Sequence, residues 1–444
     1  MKWIENFKQR ISYGALQITF RYWGVFGVWL VLTALAYQTS NEIFFRLVYL
    51  LLGAMVLSFL WAAHSIATFD LERIVVTPRA QVGRIAEERV MVHNTGRWNK
   101  VWLEIRDETD LPGHRVSRVL SALRARVRWS YTVRTPCRRR GRFNLGPIVV
   151  STGDPFGFFI FRRRIANTRA ALTVYPATVD LPYFAPPVGN MPGGDALRRK
   201  THHVTTNVSG TREYAPGDSF NRIHWLSSAR TERLIVKEFE LDPTSDVWIF
   251  LDLERDVHVG QWWEEAVDAR DLSPLWFRQD VLRLPPTTEE YCVTAAASIA
   301  RYYLQRQRAV GFAAHGQARE IVPPDRGERQ INRLLESLAV LRAEGRTPLT
   351  DVLSAESLRV NRGDTLVVIT PSPELEWIKS ARELRRRGSR VIAVLADATT
   401  FGGKVDARAA LNELAASGMT TYVLREGEEL REALSERRQT ADNR

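Results

Sequence analysis

The chain is poor in cysteine: its 444 residues hold two, Cys137 and Cys292, far apart and without a CxxC pair. That excludes a disulfide framework and a zinc finger, and it fits a reducing compartment. No nucleophile–base pair and no glycine-rich phosphate loop stands out, so an enzyme reading has little to rest on. RNA-recognition and helix-turn-helix signatures are missing too. What is present is ordinary globular composition, 45% hydrophobic and 25% charged, at a length that suits two or three domains.

Acidic residues are scarce in only one part. Positions 70–240 carry 29 Lys/Arg against 16 Asp/Glu, positions 241–444 carry 28 against 32, and the whole chain has a net charge of +12. A basic middle and a mildly acidic end read as two bodies with different electrostatic roles.

Charge is missing altogether from 22–37, YWGVFGVWLVLTALAY, and 43–63 is apolar apart from Arg46. A bilayer core needs roughly 17–25 helical residues. The second run meets that unaided; the first is expected to borrow Ile18, Thr19 and Phe20, with Arg21 snorkelling outward. The link 38–42 has no Lys or Arg, whereas Lys2, Lys8, Arg10 and Arg21 precede the first run. The positive-inside rule then gives a two-helix transmembrane hairpin with both the N-terminus and everything after Phe69 in the cytosol, at the plasma (inner) membrane. Ala34-Leu35-Ala36 resembles a signal-peptidase site, but a second full apolar run follows at once. Ile4, Phe7, Ile11 and Ala15 recur at helical spacing and predict an interfacial helix.

From residue 70 the pattern changes to short alternating stretches: LERIVVTP, RVMVHNTG, KVWLEIRDE, RVRWSYTV, GRFNLGPIVVST and ALTVYP. These predict an all-β sandwich of immunoglobulin-like size over 70–181. Its arginines cluster at Arg138-Arg139-Arg140 with Arg142, and at Arg162-Arg163-Arg164. Beside two membrane spans a lipid-facing surface is the better reading of those clusters than nucleic acid.

Residues 182–245 form a linker and a motif. His202 and His203 are adjacent, would face opposite sides of a strand and have no third ligand near, so no metal is expected there. The densest passage is 210–242, GTREYAPGDSFNRIHWLSSARTERLIVKEFELD. Asp218 after Gly217 is placed to cap a short helix from near Ser219, with Arg222 and Trp225 one turn apart and Ser227-Ser228 ending it; 234–239 alternates as a strand. Arg212, Glu213, Asp218, Arg222, Arg230, Lys237 and Glu240 mix both signs. Three readings stay open: an ion-paired clasp against the next domain with Trp225 as apolar plug, a partner-docking surface, or an anion pocket on Arg222, Arg230 and Lys237. Ion-pair networks are more often structural, which puts the clasp first.

The residues Arg212-Glu213-Tyr214, Gly217-Asp218, Arg222-Ile223, Trp225, Ser228-Ala229-Arg230, Leu234, Val236-Lys237 and Phe239-Glu240 resemble the signature of the domain of unknown function 58 family. The segment RRRGRFNLGPIVVSTGDPFGFF at 138–159 is similar to that family's RG…LGP…DPFG pattern. The resemblance implies a membrane-anchored protein in the company of a MoxR-type AAA+ ATPase or its client, with room for a transglutaminase-like membrane protein as well.

From 246 to the end, strands and helices alternate. DVWIFLDL, GFAAHG, TLVVIT, RVIAVLAD and TTYVLRE read as strands, and 289–309, 326–343, 374–387 and 405–417 as helices. An open, largely parallel α/β (Rossmann-like) sheet follows, with ligands expected at the carboxyl ends of its strands near Asp252. In order and size it looks like a von Willebrand factor A domain, which implies a Mg²⁺ site built on D-x-S-x-S, a loop Thr and a late Asp. Here Asp252 matches, the serine positions are Glu254 and Asp256, Thr347 fits the loop threonine, and Thr370-Pro371-Ser372 stands where the late aspartate belongs. A degenerate, metal-free version without a cofactor is therefore expected, although three carboxylates offer a divalent cation a different set. The long insertion 255–288, with Trp262-Trp263, Leu275-Trp276-Phe277 and Pro285-Pro286, reads as a cover or binding element over that end.

The function these readings favour is a non-enzymatic, membrane-tethered adaptor that binds protein and lipid but no nucleic acid. The alternative is a divalent-metal-dependent binding module at the Asp252 end.

Overall fold

The computed structural model describes residues 10–13, 16–20, 23–114, 116–185, 208–215, 223–239, 245–261 and 284–435. The chain divides into two compact units, the first ending at Ala177 and the second beginning at Thr178.

The first unit opens with strands β1 (Arg10–Tyr13) and β2 (Leu16–Phe20), then helices α1 (Trp23–Thr39) and α2 (Glu42–Ala67). Ten strands follow: β3 (Phe69–Val75), β4 (Arg79–Gln81), β5 (Ile85–Asn94), β6 (Lys100–Asp107), β7 (Arg118–Leu123), β8 (Arg128–Pro136), β9 (Gly141–Leu145), β10 (Ile148–Gly153), β11 (Phe159–Ile165) and β12 (Ala170–Tyr175). A six-stranded sheet in the order β1-β2-β11-β10-β6-β7 faces a three-stranded sheet β3-β5-β8, and a small sheet β4-β12-β9 completes the unit. Strand β5 shows why the sequence folds this way: buried and exposed residues alternate along it, with Val90 and Val92 fully inside. Leu103, Ile105, Ile148, Val150 and Phe161 meet them from the larger sheet, and Ala62 and Ile66 of α2 enter the same core.

Three expectations change here. Arg10–Tyr13 is a strand rather than part of an interfacial helix, and Ile18, Thr19 and Phe20 pair with Phe161, Ile160 and Phe159 instead of lengthening the first apolar helix. Edge pairing satisfies their backbone groups, which a marginal helix of four or five extra residues would not improve on. The stretch GRFNLGPIVVST is two strands, divided at Gly146 (φ +79°) and Pro147. Among the described residues, only α2 is long and apolar enough to cross a membrane; α1, with 17 residues, is a shorter apolar helix.

The two sheets are joined by charges the sequence pattern did not suggest. Arg73 Nη2 lies 2.5 Å from Asp107 Oδ2 and Arg73 Nε 3.3 Å from Glu88 Oε2. His114 Nε2 sits 3.3 Å from Glu88 Oε1 and 3.2 Å from Asp107 Oδ2, while its Nδ1 meets Thr135 Oγ1 at 2.7 Å. All four side chains are buried. The carboxylates and histidine have the spacing of a cation site. The Arg73 guanidinium offsets one of the two negative charges, and a protonated His114 would offset the other, making an ionic quartet.

The second unit begins with 178–185 packed on helix α4: Tyr302 and Tyr303 hydroxyls donate to the Phe184 and Ala185 carbonyls. Its elements are β13 (Val208–Glu213), α3 (Trp225–Thr231), β14 (Ile235–Phe239), β15 (Val247–Leu251), α4 (Thr288–Gln305), β16 (Val310–His315), β17 (Arg319–Asp325) and α5 (Gly327–Val340). Then come α6 (Leu349–Glu356), β18 (Thr365–Thr370), α7 (Glu376–Arg386), β19 (Arg390–Ala396), α8 (Arg408–Ala416), β20 (Thr420–Leu424) and α9 (Leu430–Ser435). The main sheet runs β17-β16-β15-β18-β19-β20, parallel except for edge strand β17. Every residue of β15 and β18 is buried, as a sheet covered on both faces requires. The order reverses at β15, and that switch point is where a ligand crevice forms in such sheets.

Burial pulls the His114 imidazole down, but Asp107 and Glu88 more than reverse this and raise it above its ordinary value. A raised folded-state value means stability that is full below the unfolded imidazole range and lost as pH climbs through the folded one. His114→Gln should therefore lower the melting temperature clearly at pH 6 and much less at pH 9. Equal losses at both would exclude a charged His114. Arg73→Met, which strands two buried carboxylates, should cost about 3–5 kcal/mol in denaturant unfolding.

Candidate functional site

The motif segment forms a small body of its own. Strands β13 and β14 pair antiparallel, setting Thr211 opposite Lys237, Arg212 opposite Val236 and Glu213 opposite Ile235. Tyr214 N–H donates to the Leu234 carbonyl at 2.8 Å and His224 N–H to the Ile235 carbonyl at 2.8 Å. Helix α3 is pinned to β14 by one hydroxyl: Ser228 Oγ accepts from Ile235 N at 2.9 Å and donates to the His224 carbonyl at 3.1 Å. Ser228 thus sits inside the helix and does not end it. Of the expected charges, Glu213 pairs with Arg233, a base outside that set, at 2.8 Å, and the pair is exposed.

Trp225 is not the plug. It is 65% exposed and Leu226 beside it 64%, whereas the buried residues are Ile223, Ser228 and Val236. The described helix runs from Trp225, and the turn expected from near Ser219 lies outside the described residues. Arg230 is exposed on the same helix. Gly217, Asp218, Arg222, Glu240 and the His202-His203 pair lie outside the described residues, as do the side chains of Arg212 and Lys237.

At the carboxyl end of β15, Asp252 is buried, and its Oδ2 accepts from the Thr370 hydroxyl at 2.6 Å and its Oδ1 from Glu254 N at 3.1 Å. The loop carrying Thr347 is tied in through Gly345, which bridges to Glu254 and whose N–H donates to the Leu253 carbonyl at 2.9 Å. A Cβ at Gly345 would meet the His315 carbonyl oxygen at 2.2 Å, so only glycine allows this approach. Asp256 stands exposed on the following turn. Two residues past Thr370-Pro371-Ser372, Glu374 adds its repulsion to both Asp252 and Glu254, and Asp351 from α6 adds to that at Glu254. Sequence reading missed both, because it looked for an aspartate at a fixed offset. Burial, chiefly, and then the neighbouring carboxylates push Asp252 up to about 6, against the hydrogen bonds from Thr370 and Glu254 N–H.

The insertion's two ends are pinched beside this site. Gly260 bridges to Thr287, Val259 N–H donates to Thr288 Oγ1 at 2.9 Å, and His258 Nε2 lies 3.0 Å from the Asp252 carbonyl. Trp262-Trp263 and Leu275-Trp276-Phe277 lie outside the described residues, whereas Pro285 and Pro286 belong to the pinched base.

Residues 210–264 match the model of the family described as "Protein of unknown function DUF58". The uncharacterized protein YeaD of Bacillus subtilis (strain 168) is 23% identical over 231 residues, 52% of this chain and 50% of YeaD. The chain is similar to the DUF58 family over residues 210–264. It spans about half the length of that curated relative. Among solved structures, a von Willebrand factor type A protein from Catenulispora acidiphila is similar at 12% identity over 43% of this chain and 41% of its own (TM-score 0.27). A CARDB domain from Pyrococcus furiosus, in complex with di-metal ions, is similar at 14% identity over 24% of this chain and 94% of its own (TM-score 0.18). The von Willebrand A-like character of the second unit rests on its own strand order, with β15 central and β17 the antiparallel edge.

In the RG…LGP…DPFG segment the glycines and the aspartate mark the ends of strands β9 and β10. Gly141 and Gly146 both have positive φ, a Cβ at Gly146 would meet the Thr168 carbonyl oxygen at 2.7 Å, and Asp154 accepts from Phe156 N and Phe159 N. Asp252 generates a test. Its folded-state value is raised from 3.8 to about 6, the reverse of the usual carboxylate case, so stability falls as pH rises between them. The shift corresponds to about 3 kcal/mol. Asp252→Asn should raise the melting temperature at pH 8 and leave it nearly unchanged at pH 4; a loss at pH 8 would show a net stabilising carboxylate.

Proposed function

We propose that the chain is a membrane-tethered, non-enzymatic adaptor, its apolar helices in the plasma (inner) membrane and its β-sandwich and von Willebrand A-like unit in the cytosol. The partner is a MoxR-type AAA+ ATPase or its client, with a transglutaminase-like membrane protein as a further companion. The observation that carries the docking role is the outward Trp225–Leu226 pair, in the segment that matches the family model. A tryptophan exposed on a helix that Ser228 pins to β14 is the kind of anchor that interface hot spots use.

Two features support the tether. Val28, Leu30 and Val31 of α1 and Leu50, Val56, Leu57 and Leu60 of α2 are all more than half exposed, which water penalises and lipid does not. Strand β2 precedes α1 and pairs with β11, which follows α2, so the chain on either side of the helices belongs to one sheet. Two crossings return the chain to the side it left. The non-enzymatic reading draws on the thiols: both cysteines are buried, Cys137 pushed up by that burial to about 11 and Cys292 higher still, so neither offers a thiolate.

Affinity capture of the full chain from detergent-solubilised membranes, followed by mass spectrometry, tests the reading. An AAA+ ATPase should co-purify with the wild type and fall at least about tenfold with Trp225→Ala/Leu226→Ala, the scale of a hot-spot loss. Capture unaffected by both changes would sink the docking role.

A second reading has its own observation: Glu254 and Glu374 raise Asp252, and Glu374 raises Glu254, at a sheet switch point, an arrangement that a divalent cation would relieve. Calorimetry with Mg²⁺ and Mn²⁺ separates the two. Saturable heat abolished by Asp252→Asn favours the metal module, and none favours the adaptor alone.

A further inference from the structure

The helix-proximal end of the sandwich carries a surface that the tether alone does not require. Lipid-type exposure on α2 runs down to Leu60, and one residue later Trp61 stacks on Trp98 of the β5–β6 loop, with ring centroids 5.4 Å apart. That loop is bound to the β7–β8 loop. Asn94 Nδ2 donates to the Trp98, Leu123 and Arg124 carbonyls, and Ala125 N–H donates to Asn99 Oδ1 at 2.9 Å. The two loops present Arg97, Arg124 and Arg126 to solvent, as the start of β8 does Arg128, and Trp98 is 55% exposed. No Asp or Glu occurs anywhere between Asp110 and Asp154.

A third loop reaches the same end. Phe159, at the start of β11, packs on Phe20 and on Phe59 of α2 at 5.3 and 5.5 Å. Just before it, the Asp154 carboxylate accepts from Phe156 N at 2.9 Å and Phe159 N at 2.7 Å, and Gly157 takes φ +76°. This tight turn holds Phe156 outward, 62% exposed and stacked on Phe158. An aromatic that a rigid turn keeps in the open is not a side chain waiting to collapse inward.

We propose that Arg97, Trp98, Arg124, Arg126, Arg128 and Phe156 form a rim that seats the sandwich on an anionic bilayer surface, the arginines on lipid phosphates and the two aromatics at headgroup depth. The inference rests on the tether reading. It is set apart by choosing the lipid through charge and by naming which end of the sandwich touches it. About 20 residues of helix cover a hydrocarbon core of about 30 Å. Counted from Glu42, that brings Trp61 to the interface, where tryptophan and arginine are at home. Most of the arginines singled out in the sequence have other places. Arg138 and Arg139 follow the opposite end of β8 from Arg128, Arg140 is buried, and Arg164 pairs with Glu108.

Single-cysteine labelling of the full chain tests the rim, since Cys137 and Cys292 are buried. Phe156→Cys, Leu50→Cys and Arg138→Cys would each carry an environment-sensitive fluorophore in nanodiscs of brominated phosphatidylcholine, with and without phosphatidylglycerol. The label at 156 should be quenched several times more than the label at 138 when phosphatidylglycerol is present. Each arginine of the rim changed to glutamine should lower the seated-to-free ratio roughly fivefold. Continued protection of Cys137 from thiol reagents checks that each variant is folded. Quenching at 50 with no excess at 156, or an excess at 156 that ignores phosphatidylglycerol, overturns the rim and leaves the tether standing. No quenching at 50 overturns the tether, and the rim with it.

Discussion

The first unit depends on how α2 ends. Its last carbonyls carry the negative end of the helix dipole into the sandwich, where Lys100 Nζ donates to the Ser65 carbonyl at 2.6 Å and to Thr68 Oγ1 at 3.0 Å. Burial lowers that ammonium to about 8, a desolvation cost that the two hydrogen bonds and the dipole offset. One residue, Thr68, separates the helix from strand β3, and Ala62 and Ile66 belong to the sandwich core. The junction has no linker to bend. Whatever medium surrounds Leu50 therefore fixes the orientation of the sheet below it.

A comparable tension sets the Asp252 end of the second unit. A carboxylate held inside, close to two others of like charge, destabilises the fold at neutral pH, and its hydrogen bonds to Thr370 and Glu254 N–H relieve this only in part. Such costs gather where a protein needs a charge in place before its partner arrives. The glycine at 345 and the pinch at Gly260–Thr287 hold the surrounding loops rigid, so the negative end is a preformed surface.

Legibility followed the range of the interaction. Strands such as 247–251 and 365–370 were readable because a sheet covered on both faces asks for unbroken apolar runs, and β5 because a half-covered one asks for alternation. Strand β17 was missed because Pro323-Pro324 reads as a break, although an edge strand tolerates it. Strand β11 hid behind three arginines that looked like a charge cluster, and β7 behind a short pattern with little alternation. The quartet of Arg73, Glu88, Asp107 and His114 had no local signal at all. Only the register of β3 against β5, and the stacking of one sheet on the other, brings those residues together. In the family motif the charges drew attention, whereas a serine hydroxyl does the pinning and the tryptophan faces out.

The basic middle of the chain is also misread when it is treated as a single field. Arg128 and Arg138 stand about 10 residues apart on and just beyond β8, roughly 30 Å at the rise of a strand. At physiological ionic strength exposed charges are screened over about 8 Å. The two ends of the sandwich are therefore electrostatically independent, and net charge says nothing about which one meets the bilayer. With the proposed tether, geometry chooses: the end beside Trp61 is the one the helix would deliver to the headgroups, and the other end is left with its own contacts, Arg140 buried among them. A chain that needed only solubility would have no reason to sort its arginines this way. One that must stand on an anionic surface and also offer a face to a protein gains from keeping the two fields apart.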